Sequence, residues 1–314
     1  MINNERVHHS HLALTSTGAS SGFGLRLARS ALKRGDRVIA TAKSLDKLQN
    51  LLVANIDPVL RNNLHTLQLD VTEGETTLKA KASEAAAIWG QIDVLVNNAD
   101  ELRPLRIQVI DILTHLISPS LISRSTSTAH LRRQFATNVF GVLDMTTAVL
   151  PHLRSSKQAV TVVIGSRSAW RTEIAGIGHY SASKAAVHSL TETLATEVAP
   201  FNIRVLLVAP GSFRTEGIYN QEYNMSNPIA ANTLVREDSA TKFKALTQTG
   251  QGDPAKAMEA VVDIVRGEGI AKGRPWPNLL ILGEDAGRDV RNKCNKVLKA
   301  LDEWKDVTCG VNLD

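Results

Sequence analysis

Residues 12–34 constrain the fold of this chain more than any other stretch. A short apolar run, Leu12–Thr17, enters Thr17-Gly18-Ala19-Ser20-Ser21-Gly22-Phe23-Gly24 and leaves it in a helical pattern, Gly24–Arg34. Glycines permit the sharp bend of a strand-to-helix turn and let a ligand come close to the backbone. The helix that follows presents free N–H groups and the positive end of its dipole. The spacing predicts a βα unit whose turn holds an anion such as a pyrophosphate.

The same alternation continues along the chain. Arg37–Ala42, Leu64–Leu69, Val94–Asn97, Val160–Ile164, Ile203–Val208 and Leu279–Leu282 read as short strands. Helical patterns over Leu45–Ala54, Thr76–Trp89, Leu131–Leu150, Tyr180–Val198 and Pro254–Arg266 lie between them. Asp253 is placed as an N-cap with Pro254 at the first helical position. Aromatic residues are only 4% of the chain, so Val, Ile, Leu and Ala must supply the core, which suits a covered parallel sheet. Right-handed crossovers then put helices on both faces. The expectation is one α/β domain, 1–314, with an atypical insertion over 100–130 and a substrate-loop region over 212–250.

Several classes are set aside. The net charge of +5 is spread without a basic run, which argues against a nucleic-acid partner. No apolar run approaches the roughly eighteen residues of a membrane span. Glu5, His8, His9 and His11 stand where a leader would need apolar residues, and the three histidines read as a solvated terminus. Cys294 and Cys309 have no metal-ligand spacing and read as reduced thiols. A cytoplasmic protein without a resident metal is expected.

The chemistry concentrates in Tyr180-Ser181-Ala182-Ser183-Lys184. Four residues apart on a helix, Tyr180 and Lys184 share a face. An adjacent ammonium favours the phenolate, and a phenol so placed exchanges a proton with an alcohol or carbonyl. Ser166 ends the buried strand Val160–Ile164 at the sheet edge where ligands bind, and its hydroxyl is placed on the substrate oxygen. Asn138 sits mid-helix against its own preference, which points to a polar task such as holding a water near Lys184. The second strand ends in Ala42-Lys43, a cation where an acidic residue would select NAD, so Lys43 is assigned to the 2′-phosphate of NADP(H). Asp70-Val71, after the third strand, is placed on the adenine.

Together these motifs resemble the short-chain dehydrogenase/reductase family, from about Leu12 to Thr215 and more loosely beyond. Thr17–Gly24 is similar to its cofactor fingerprint, implying Gly18, Ser20, Ser21, Gly22, Phe23 and Gly24 in contact with the nucleotide. Asn97-Asn98-Ala99 is similar to the motif after the fourth strand, which adds Asn97 and Ala99. Asn138, Ser166, Tyr180 and Lys184 fall on the catalytic tetrad. Pro210-Gly211 with Thr215 resembles the segment that meets the nicotinamide carboxamide. Residues 252–301 are similar to fungal members often associated with secondary metabolism.

The resemblance implies a Rossmann-like doubly wound sheet and an NADP(H)-dependent ketoreductase or alcohol dehydrogenase. The implied partner is a small carbonyl or alcohol, and a homo-oligomer is compatible with it. The aromatic residues after Gly211 (Phe213, Tyr219, Tyr223) point to an apolar substrate. The alternative from another class is a dinucleotide-binding scaffold or sensor on the same fold.

Three departures stand out. Asp100 replaces the family's glycine and would repel the nucleotide unless it turns away or pairs with a cation, Arg103 and Arg106 being near in sequence. The segment over 101–129 is about fifteen residues longer than the family pattern. Ser166 lies fourteen residues before Tyr180, one more than usual, with Ser168 as the alternative hydroxyl.

Overall fold

The computed structural model describes residues 11–100, 126–174, 177–216, 252–312 and the isolated positions 234, 237, 238 and 241. The insertion over 101–125 and most of the 212–250 region lie outside them, so Arg103, Arg106, Tyr219 and Tyr223 do too.

Seven strands form one parallel sheet in the order β3-β2-β1-β4-β5-β6-β7. They are β1 (Ala13–Ser16), β2 (Arg37–Ala42), β3 (Leu64–Gln68), β4 (Val94–Asn97), β5 (Val160–Ile164), β6 (Arg204–Pro210) and β7 (Leu279–Leu282). The inner strands are apolar and buried on both sides, as a sheet with two covered faces requires. The order reverses between β1 and β4. The crevice at their carboxyl ends is the place where such sheets bind ligands.

On one face α1 (Gly22–Lys33) packs with the helix at Pro254–Arg266 through Leu27, Leu32, Met258 and Val261. On the other lie α3 (Glu75–Trp89), α5 (Gly141–Leu153) and α6 (Gly178–Val198), anchored by Leu78, Met145, Val149 and Val198. Each fully buried Leu or Met adds about 1.5–3 kcal/mol of transfer free energy. The short α2 (Leu45–Leu51) starts at Ser44, whose side chain accepts from Lys47 N–H. Asp253 caps α7 (Pro254–Arg266) by accepting from the Ala255 and Lys256 N–H groups.

Two elements differ from the sequence reading. The helix expected over Leu131–Leu150 is α4 (Thr126–Phe135), a single π-turn at Ala136–Phe140, and then α5. The π-turn carries Asn138, so this residue sits in a widened turn and not in a regular helix. The C-terminal part, unassigned from sequence, forms α8 (Glu284–Glu303) and the short α9 (Lys305–Cys309). Its apolar residues Val297, Leu298, Leu301 and Trp304 are exposed. No helix among the described residues is long and apolar enough to cross a membrane, and none of their side chains gather as a metal site.

Candidate active site

The glycine turn and the end of β4 are stitched together. Thr17 Oγ1 accepts the N–H groups of Asn98 and Ala99, each at 2.9 Å, and donates to the Val96 carbonyl. The Asn98 side-chain amide donates to the carbonyls of Thr17 and Gly18 at 3.0 and 3.1 Å. Gly18 has φ +63°, and a Cβ on Gly24 would stand 2.5 Å from the Asn98 amide nitrogen. Side chains at these positions would force the two segments apart. Asn97, expected at the nucleotide, instead donates from the core to Thr146 Oγ1 at 3.0 Å. Asn98 was passed over as a site residue, although its place beside the glycine turn follows from β4 pairing with β1.

Ser21 precedes α1 in extended conformation and provides no side-chain cap for the first N–H groups of the helix. A carboxylate meets one of them. Glu216 Oε2 accepts from Gly22 N–H at 3.1 Å and from Arg26 Nη1 at 3.0 Å, and Oε1 accepts from Arg26 Nη2 at 2.6 Å. The Arg26 hydrogen bond, foremost among the causes, holds Glu216 at a pKa of about 2. Thr215 lies beside Gly22, and its hydroxyl is buried without a hydrogen-bond partner among the described residues. Phe23 packs edge-on against Phe213, ring centroids 5.2 Å apart. Phe213, expected from sequence at the substrate, is buried in this contact.

At the end of β2, Lys43 pairs with Asp70 at 3.1 Å. Burial works against the Asp70 charge, but hydrogen bonds from Thr72 and Lys43 win and hold its pKa below the ordinary value. Val71, read as a nucleotide contact, is buried beneath Gly141, where an added Cβ would come within 2.7 Å of it.

Tyr180 and Lys184 occupy the first turns of α6 and are almost fully buried. Lys184 Nζ donates to the Ile164 carbonyl at 3.0 Å and lies 5.6 Å from the centre of the Tyr180 ring. Asp100 reaches both groups, accepting from the Tyr180 hydroxyl at 3.1 Å through Oδ2 and pairing with Lys184 Nζ at 3.2 Å through Oδ1. The cation beside Asp100 is thus Lys184. Asn138 donates to Ser183 Oγ at 3.2 Å, and Ser183 donates to the Tyr180 carbonyl at 2.8 Å. Asn138 braces the helix turn that carries Tyr180.

Ser166 is buried at the end of β5 and caps a one-turn helix, its hydroxyl accepting from Ser168 N–H at 3.1 Å. Its own N–H donates to His188 Nε2 at 3.1 Å. Burial first, and then the nearby Lys184 charge, push the His188 pKa down to about 3, so the imidazole is neutral and free to accept. The Trp170 ring packs edge-on against it at 4.7 Å. A Cβ on Gly165 would lie 2.0 Å from the same nitrogen.

Arg167, next to Ser166, is buried. It bonds to Asp285 at 2.7 Å, Asp289 at 2.9 Å and Ser212 Oγ at 2.8 Å. Asp285 also accepts from Ser212 N–H, and a Cβ on Gly211 would strike it at 2.0 Å. The start of α8 is thereby clamped to the loop after β5 and to the turn after Pro210. His188 and Arg167 were not singled out from sequence. His188 falls on the face of α6 that carries Tyr180 and Lys184, which was the available signal.

The parallel sheet, with the glycine turn and the Tyr180–Lys184 helix at its carboxyl edge, has counterparts of the same fold among known proteins. The profile of the short chain dehydrogenase family matches residues 13–225, and the chain belongs to that family. The chain is 30% identical over 296 residues to oxidoreductase BOA17 of Botryotinia fuckeliana, covering 93% of this chain and 96% of that one. It is likewise 30% identical over 251 residues to the uncharacterized oxidoreductase YusZ of Bacillus subtilis, covering 79% and 82%. The crystal structure of a short-chain dehydrogenase from Streptomyces avermitilis superposes with a TM-score of 0.77 at 32% identity, covering 97% of this chain and all of that one.

Proposed function

We infer that the chain is an NADP(H)-dependent oxidoreductase that interconverts a carbonyl and a hydroxyl group on a small, apolar metabolite. The carrying observation is the joint placement of Tyr180, Lys184 and Ser166 at the carboxyl edge of the sheet, next to the glycine turn. The residues present fit a nicotinamide dinucleotide. The N–H groups of α1 left uncapped by Ser21, the Arg26 guanidinium and the Thr215 hydroxyl, which has no partner among the described residues, suit a diphosphate. Gly18, Ser20, Ser21, Gly22, Phe23, Gly24, Ala99, Pro210 and Gly211 are the further residues assigned to the cofactor in this reading. Lys43, at the end of β2, suits a 2′-phosphate.

The bound cofactor supplies the hydride chemistry. The chain supplies position and a proton. Ser166 holds the substrate oxygen by a hydrogen bond from its hydroxyl. Tyr180 gives that oxygen its proton in reduction and takes it back in oxidation. Lys184 stabilises the phenolate left behind, and Asn138 keeps the Tyr180 turn in place through Ser183. Ser166 is preferred to Ser168 because its backbone is fixed by His188 and it is the more buried of the two. The exposed, unpaired cysteines Cys294 and Cys309 suit a reducing cytoplasm.

A panel of apolar ketones and aldehydes with NADPH, followed by loss of the reduced cofactor, tests the reading. Turnover supported by NADPH on at least one carbonyl is expected. A second reading, a dinucleotide sensor without turnover, draws on the Asp100 carboxylate across Tyr180 and Lys184. NADPH binding in a fluorescence titration with no turnover across the panel would favour it.

A further inference from the structure

Tyr180 and Lys184 suffice for proton exchange, yet a third ionisable side chain joins them. Each Asp100 carboxylate oxygen serves one of the pair, Oδ2 the Tyr180 hydroxyl and Oδ1 the Lys184 ammonium. Asp100 does not reach them from a loose loop. The two residues before it are held to Thr17 and Gly18 by four hydrogen bonds from Asn98 and Ala99. Lys184 is only 2% exposed, so its charge is out of water. The Ile164 carbonyl offsets that charge in part, and Asp100 supplies the opposite charge in contact.

We propose that Asp100 is a third working residue of the proton-transfer centre, one that keeps Tyr180 protonated and so sets the site for carbonyl reduction over alcohol oxidation. The proposal rests on the reading of Tyr180 as proton donor. An ammonium alone beside a phenol favours phenolate. A carboxylate that accepts the phenol's hydrogen bond and neutralises the ammonium opposes it, because ionisation would set two anions about 3 Å apart. In reduction the hydride for the carbonyl carbon would be supplied by the bound reduced cofactor. The Tyr180 O–H bond breaks, and its proton forms the new O–H bond of the product. The phenolate then faces Asp100 and is driven to recover a proton from solvent. In oxidation the alcohol's proton must pass to a phenolate that the same carboxylate disfavours.

Among the described residues, Asp100, Lys184 and, one helical turn beyond Lys184, the neutral His188 are titratable groups near Tyr180. The end of β5 contributes the Ile164 carbonyl and Ser166, and the π-turn contributes Asn138. The Lys184 charge also bears on His188, so a single-site change should be read at Tyr180 itself.

The chain has three tyrosines, so the tyrosinate absorbance of wild type minus that of Tyr180→Phe isolates this phenol. Titrated from neutral to strongly alkaline pH, Asp100→Asn should move the Tyr180 midpoint down by about one unit or more. Asp100→Glu, which keeps the charge, should stay nearer to wild type. Asp100→Ser is titrated alongside, with circular dichroism on each, so that one variant failing to fold leaves the other to decide. A Tyr180 midpoint that is unchanged or higher in a folded, uncharged variant overturns the proposal. The titration needs neither cofactor nor carbonyl. A chain without turnover would defeat the enzymatic reading and leave this coupling measurable, and an uncoupled Tyr180 would leave the turnover test standing.

Discussion

His188 Nε2 accepts the backbone N–H of Ser166 at 3.1 Å, so a buried imidazole fixes the strand end that carries the hydroxyl proposed to hold the substrate. The bond requires a bare nitrogen. Leu at position 188 would leave the Ser166 N–H buried and unpaired, a cost of about 1–3 kcal/mol. His188→Leu should lower the melting temperature and kcat together, whereas His188→Gln, which retains an acceptor, should recover part of both. The folded imidazole takes a proton only near pH 3, and an unfolded one does so near 6.5. Between these values the unfolded chain binds more protons, so stability is full above 6.5 and falls as the pH drops toward 3. Melting curves across that window should show the decline in wild type and a shallower one in His188→Gln.

Tyr180→Phe removes the hydroxyl and keeps the ring. Loss of a positioned general acid costs about 10²–10⁴-fold in rate. NADPH affinity should change little, because Lys184 and the glycine turn remain. Near-wild-type kcat in the purified variant would remove Tyr180 from the mechanism.

Lys43 is more than half exposed and already paired with Asp70, so its contact with a 2′-phosphate should sit at the weak end of charge-assisted bonds. Such a bond is worth about 1.5 kcal/mol, or roughly tenfold in affinity. Lys43→Ala should weaken NADPH binding by about that factor, leave NADH nearly untouched, and lose its effect at high salt. Equal loss for both cofactors would place Lys43 elsewhere.

Glu216 holds Gly22 N–H and Arg26, the donors assigned to the diphosphate. Two anions cannot share them. Glu216→Gln should therefore tighten NADPH binding several-fold, and Arg26→Ala should weaken it, both measured by fluorescence titration at fixed ionic strength. Because Glu216 loses its charge only near pH 2, the wild-type competition should persist across the whole working range. Weaker binding in Glu216→Gln would make this carboxylate a support of the turn.

Arg167 balances Asp285 and Asp289 where α8 begins. Removing one partner of a buried ion cluster is costly, about 3–5 kcal/mol. Arg167→Met should give a clear drop in melting temperature and detach α8 from the loop that bears Ser166, seen as faster amide exchange in both. Protection unchanged in α8 would show that the helix is held by other contacts.

Much of the fold was legible because its signals are local. Short runs of four to six residues marked β1 to β7, and glycines marked the turn into α1. Tyr180 and Lys184 were legible from a fixed spacing on one helix. The π-turn at Asn138 was not, since Ala136–Phe140 carries no glycine or proline to announce a widened turn. Nor were the partnerships of Asp100, His188, Arg167 and Glu216, whose bonding partners lie between 22 and 194 residues away. Such pairs are decided by how strands and helices dock. A one-residue window cannot see them.

The space around Gly165 has a consequence for descent. Even alanine there would drive a methyl carbon into the His188 ring at 2.0 Å. The two positions are thus sterically dependent on one another. A lineage that enlarges residue 165 must first shrink residue 188 and find another acceptor for Ser166, and one that loses the histidine frees the glycine to drift. Among relatives that keep this arrangement, histidine at 188 should be found only with glycine at 165, while the glycine can outlast the histidine.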